Sequence, residues 1–111
     1  NKVHGMAFRV PTATVSVTDV VANLTSDASV EEINLSYQKA AAESMRGILD
    51  FSTEPLVSTD YRQSPFSCVI DGLSTIALEG NMVKIVGWYD NEWGYSLRTI
   101  DLAQYLANTG I

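Results

Sequence analysis

The chain has 111 residues, 46% hydrophobic and 18% charged, and its 7 Lys+Arg against 13 Asp+Glu give 7 − 13 = −6 at neutral pH. That length fits one domain, and the composition excludes disordered and collagen-like chains. A single Cys and a single His rule out an internal disulfide and a Cys/His metal cluster. The acidic balance argues against nucleic acid and anionic membrane surfaces as partners, because both select for Lys/Arg clusters. A small phosphorylated ligand, which needs only local positive charge, stays open.

No window reaches the roughly eighteen consecutive apolar residues of a membrane span, and Asn1 to Gly5 carry no signal-peptide pattern. Beginning without Met, the chain reads as a processed product or a piece of a longer protein. In chain order, Met6-Ala7-Phe8-Arg9-Val10 alternates and predicts a strand, with Met6, Phe8 and Val10 on one face and Arg9 on the other. Pro11 ends it for want of an N–H. Thr14 to Leu24, rich in Val and Thr, predicts a second strand antiparallel to the first.

A helix follows. Ser29 and Glu32 form a capping-box pattern, and Val30, Ile33, Tyr37, Ala40 and Ala41 make one apolar stripe. Arg46 suits the negative helix end, and Gly47 can take the left-handed turn that stops it. Ile48 to Pro65 reads as short strands and turns, with Leu56-Val57-Ser58 the most strand-like. Phe66 to Asp71 and Ser74 to Leu78 are strand-like runs split by Gly72. The second of them pairs through Glu79-Gly80-Asn81 with Met82 to Tyr89 as a hairpin. Glu92 to Asn108 predicts a second helix whose wide apolar arc suggests cover on more than one side. Strands grouped around two helices predict an α+β fold, a mixed and largely antiparallel sheet with helices packed on one face.

The densest chemistry lies between the last strand and the last helix. Trp88-Tyr89-Asp90-Asn91-Glu92-Trp93-Gly94-Tyr95-Ser96 puts four aromatics, two acids, an amide and a glycine into nine positions. A helix cap at Asp90 or Asn91 and aromatic core packing account for part of this run. They do not explain so many hydrogen-bonding groups at the end of one strand, and a ligand site is the competing account.

This run, together with Gly5-Met6-Ala7-Phe8-Arg9-Val10-Pro11-Thr12, resembles the glyceraldehyde-3-phosphate dehydrogenase family. Val15-Ser16-Val17, Arg46-Gly47-Ile48-Leu49 and Leu56-Val57-Ser58-Thr59-Asp60 fall between them in the family's order. The resemblance covers essentially residues 1–111, as the C-terminal segment of the family's catalytic domain, with the N-terminal dinucleotide-binding domain absent. It implies a parent oxidoreductase of glycolysis that oxidises a phosphorylated aldehyde with NAD or NADP and inorganic phosphate to an acyl phosphate. It also implies a cytoplasmic homotetramer.

Residue by residue, the resemblance makes Arg9 the ligand of the substrate phosphate, which suits a permanently charged guanidinium with paired donors. A solvated charge on a strand face is the plain alternative. Asn91 matches the residue whose amide reads the nicotinamide carboxamide, donating and accepting at once; a helix cap is its alternative. Tyr95 matches a tyrosine beside the nicotinamide ring, with core packing as its alternative. Helix-dipole stabilisation accounts for Glu92. The family's nucleophile motif, Ser-Cys-Thr-Thr-Asn, does not occur here, and neither Cys68 nor His4 matches a catalytic position. No catalytic or metal-binding residue is therefore expected in this segment, which alone should be inactive. Erythrose-4-phosphate dehydrogenase is the sister reading, disfavoured at Tyr89, Tyr95 and Ser96. A non-catalytic binding or oligomerisation module is the reading from another class.

Overall fold

The structure, a computed structural model, describes residues 2–78 and 81–111. Five strands form one mixed sheet: β1 Ser16–Asn23, β2 Leu49–Ser52, β3 Cys68–Asp71, β4 Ile76–Ala77 and β5 Met82–Tyr89. The hydrogen-bonded order is β1-β5-β3-β2, with β4 also on β5. Among the described residues β5 is antiparallel to β1, β3 and β4, and only β2 with β3 is parallel. With the helices α1 Val30–Ala42 and α2 Asn91–Thr109, this is the expected α+β fold.

Central β5 organises the sheet because its two faces find different cover. The register sets Val69 opposite Trp88 and Ile70 opposite Gly87, and alternation sorts the residues from there. Val69 and Trp88 share a face with Val15, Tyr61, Leu56 and Phe66, which form one apolar cluster. There the rings of Tyr61 and Trp88 stack, with centroids 5.5 Å apart. On the opposite face Val83 and Ile85 line a cavity together with Ile33 and Tyr37 of α1. The α1 stripe is the predicted one. Ile33 is buried, while Val30, Tyr37, Ala40 and Ala41 are half-buried.

Helix α1 starts as expected. Ser29 accepts from the Glu32 N–H at 3.1 Å, and Glu32 accepts from the Ser29 N–H at 2.8 Å. These bonds hold the Glu32 carboxyl below its ordinary pKa. The helix ends at Ala42, earlier than Gly47. Gly47 does adopt a left-handed conformation, with φ +77°, after an intervening turn. Arg46 Nε donates to the Ala42 carbonyl at 2.8 Å, capping the freed end. Thr75, which is buried, donates to Asn34 at 2.7 Å, and Asn34 donates to the Gly72 carbonyl at 3.0 Å. Together they tie α1 to the turn between β3 and β4.

Four expectations are corrected. Met6 to Val10 forms no strand, because no described segment offers its N–H and C=O groups a ladder. Met6, Phe8 and Val10 stand exposed, Phe8 at 81%. The strand from Thr14 shortens to Ser16–Asn23 and pairs with β5 instead. Leu56-Val57-Ser58 is not a strand, since the Asp60 carboxylate accepts the Val57 N–H at 2.8 Å and starts a 3-10 turn over Ser58–Tyr61. Finally, α2 is covered on one short stretch only. Gly94 is buried and Leu97 and Arg98 are half-buried, while Trp93, Ile100, Leu102 and Tyr105 are exposed. The β4–β5 pairing agrees with the expected hairpin, and its turn at Glu79 and Gly80 lies outside the described residues.

Candidate functional site

Strand β5 ends at Tyr89, and Asp90 turns the chain into α2. Asp90 is buried, and its carboxylate is fully engaged. Oδ1 accepts from the Trp93 N–H at 3.1 Å, capping the helix, and from the Thr14 hydroxyl at 3.4 Å; Oδ2 accepts from the Gln63 N–H at 2.9 Å. Burial pushes this carboxyl up, but the N–H groups of Gln63 and Trp93 and the Thr14 hydroxyl outweigh it. The net result lies below the ordinary carboxylate range. Asp90 is therefore an anion that fastens three chain segments, and it has no role left for a ligand.

Asn91 is the first residue of α2 and is exposed. Its amide meets the Ser16 hydroxyl at both ends: Ser16 Oγ donates to Oδ1 at 3.0 Å and accepts from Nδ2 at 2.8 Å. Tyr95 lies one turn on along the same helix, 77% exposed, and so presents a free ring beside Asn91. The structure brings these two residues together at the C-terminal end of β5. Among the described residues Tyr95 is exposed rather than packed, and the helix cap belongs to Asp90 rather than Asn91.

Arg9 stands on the exposed segment ahead of β1, with none of the described hydrogen bonds or ion pairs to Asn91 or Tyr95. That segment is anchored beside the start of α2 by Thr14 on Asp90 and Ser16 on Asn91. Arg9 lies five positions before Thr14, so their Cα atoms are within about 18 Å of each other. Between the two anchoring hydroxyls, Val15 is buried with φ +74°. A left-handed β-branched residue costs roughly 1–2 kcal/mol, which the surrounding packing offsets. The signal that reading along the chain missed is the set Thr14, Ser16 and Gln63. Their partners lie 27 to 76 residues away, and strand alternation alone leaves them as ordinary polar positions.

Other polar features lie elsewhere. A cleft of about 490 Å³ on the face away from α1 is lined by Asp50, Glu54, Asp60 and Tyr61 among others, and its carboxylates disfavour an anion. Burial pushes the Cys68 thiol up, which keeps it protonated at neutral pH and poorly nucleophilic. None of the helices in the described residues is long and apolar enough to cross a membrane.

Comparison with known proteins gives a consistent picture. The family described as "Glyceraldehyde 3-phosphate dehydrogenase, C-terminal domain" matches residues 1–91. The chain is 53% identical over 106 residues to glyceraldehyde-3-phosphate dehydrogenase 2 of Bacillus subtilis, covering 96% of this chain and 31% of that protein. It is 54% identical over 110 residues to the enzyme of that name from Geobacillus stearothermophilus, covering 99% and 33%. A chloroplastic glyceraldehyde-3-phosphate dehydrogenase of Arabidopsis thaliana is 48% identical over 107 residues, covering 96% and 27%. The chain thus spans about a third of the length of the curated relatives it matches.

Proposed function

The chain belongs to the glyceraldehyde-3-phosphate dehydrogenase family through its C-terminal domain, and from that we propose that it is the C-terminal segment of a phosphorylating aldehyde dehydrogenase. The parent oxidises glyceraldehyde 3-phosphate to an acyl phosphate, using NAD or NADP and inorganic phosphate, as a cytoplasmic homotetramer. The single observation that carries this reading is identity near one half over almost the entire chain to relatives of that name.

Each site residue has chemistry suited to its part. The Arg9 guanidinium is permanently charged and free of any described ion pair, and it binds the substrate phosphate through paired N–H donors. A primary amide has two N–H donors and two acceptor lone pairs. Ser16 takes one of each from Asn91. The remaining N–H and the remaining lone pair lie on opposite flanks of the amide, and either one suits a single hydrogen bond to the carboxamide of a nicotinamide. Tyr95, exposed one turn along, limits rotation of a flat ring set beside it. Asn91 and Tyr95 would hold the nicotinamide end of a cofactor, which would supply the hydride acceptor for the oxidation. The nucleophile and the acid/base come from the rest of the parent, and residues 1–111 alone do not turn over.

Arg9→Ala in the full-length enzyme tests the assignment. Loss of a charge-assisted phosphate contact lowers kcat/KM roughly ten- to 150-fold, while a substrate analogue without the phosphate reacts equally well with both proteins. Unchanged efficiency on the phosphorylated substrate would falsify the role.

A further inference from the structure

One hydroxyl holds both ends of the Asn91 carboxamide. Ser16 reaches it across 75 residues of sequence, at 3.0 Å to Oδ1 and 2.8 Å from Nδ2. The last torsion of an asparagine side chain is soft and roughly two-fold. An unheld amide therefore turns freely and exchanges its donor for its acceptor.

Ser16 has no such freedom. It opens β1, directly opposite Tyr89 in the ladder to β5. The residue before it, Val15, is locked by a left-handed backbone and a buried side chain. On the far side of Val15, Thr14 bonds Asp90, next in sequence to Asn91. The sheet thus delivers the Ser16 oxygen to a fixed point in front of the amide. The N–H and the lone pair that remain face the two flanks of the amide, not its front.

We propose that Ser16 is a positioning residue for the cofactor. Its hydroxyl fixes the plane of the Asn91 amide, so that the groups left on its flanks keep constant directions and one of them meets a ligand carboxamide. The inference rests on the reading of Asn91 given under Proposed function, and it adds a residue that touches neither substrate nor cofactor.

The test is a double-mutant cycle in the full-length enzyme, titrated calorimetrically with NAD and with NADP. Ser16→Ala weakens binding of the cofactor about two- to tenfold, the range for one lost neutral hydrogen bond. Ser16→Thr, which keeps the hydroxyl, restores it. In the Asn91→Ala background, Ser16→Ala has no further effect, because the group it acts through is gone. If Asn91→Ala weakens the cofactor and Ser16→Ala does not, the inference fails and the reading of Asn91 stands. An equal effect of Ser16→Ala in both backgrounds also overturns it, since the hydroxyl then works through general stability. If Asn91→Ala itself leaves cofactor binding unchanged, the reading of Asn91 fails and this inference fails with it.

Discussion

Asp90 joins more of the molecule than any other side chain in the run from Trp88 to Ser96. Its two oxygens serve the start of α2, the segment before β1 and the turn at Gln63. Because its pKa is depressed in the folded state, its contribution is complete above the unfolded carboxyl value near ~4. It is lost as pH falls through the folded value. Asp90→Asn sets an amide N–H against the N–H of Gln63 and costs about 1–3 kcal/mol at neutral pH. Urea midpoints of the full-length protein between pH 7 and pH 3 should show the gap between the two proteins narrowing in acid. A gap that stays constant would contradict the role. The capping half of this role is legible in the sequence, where an acid precedes an amphipathic run. The clamping half is not, because Thr14 and Gln63 are brought in by the sheet and by packing.

At the scale of elements, α2 is held mainly by its first two turns. A Cβ added at Gly94 would sit 3.0 Å from the Phe66 carbonyl oxygen. That backbone is itself pinned, since the Ser67 N–H donates to the Ile48 carbonyl at 2.8 Å. Arg98 reaches the same place, donating to the Gly47 carbonyl at 3.2 Å and to the Ser67 hydroxyl at 3.3 Å. Gly94→Ala gains up to about 1 kcal/mol of helix propensity, yet it pushes α2 away from this seat, and overpacking costs about 1–3 kcal/mol. The expected result is a net loss in thermal melts. A stabilised Gly94→Ala protein would show that α2 is not seated there. Elements with a strong local pattern are the legible ones: α1 from its capping box and stripe, and β5 from its run of β-branched and aromatic residues. Leu56 to Ser58 misleads because one side-chain bond, from Val57 N–H to Asp60, decides the backbone.

For the molecule as a whole, the Cα radius of gyration is 15.8 Å, against about 13 Å for a compact chain of this length. The excess goes with the two parts that lack cover, the segment through Phe8 and the distal turns of α2. An alternating run such as Met6 to Val10 announces a strand without saying what it pairs with, which is why sequence misreads it. The same exposure predicts that residues 1–111 in isolation self-associate or are marginally stable, by burying these apolar surfaces on one another. Sedimentation over a range of concentrations tests this; a monomer with one sharp melting transition would contradict it.

The ladder between β1 and β5 carries a cost in time. Asp19 faces Val86, so 86 − 19 = 67 residues must leave the ribosome before that rung closes. At roughly 5–20 residues per second, the earlier strand waits about 3–13 s for its mate. Throughout that interval its valines offer an open edge to any passing nascent chain. The charge of Asp19, which later pairs with Lys84 at 2.8 Å, sits mid-strand where it deters such trespass.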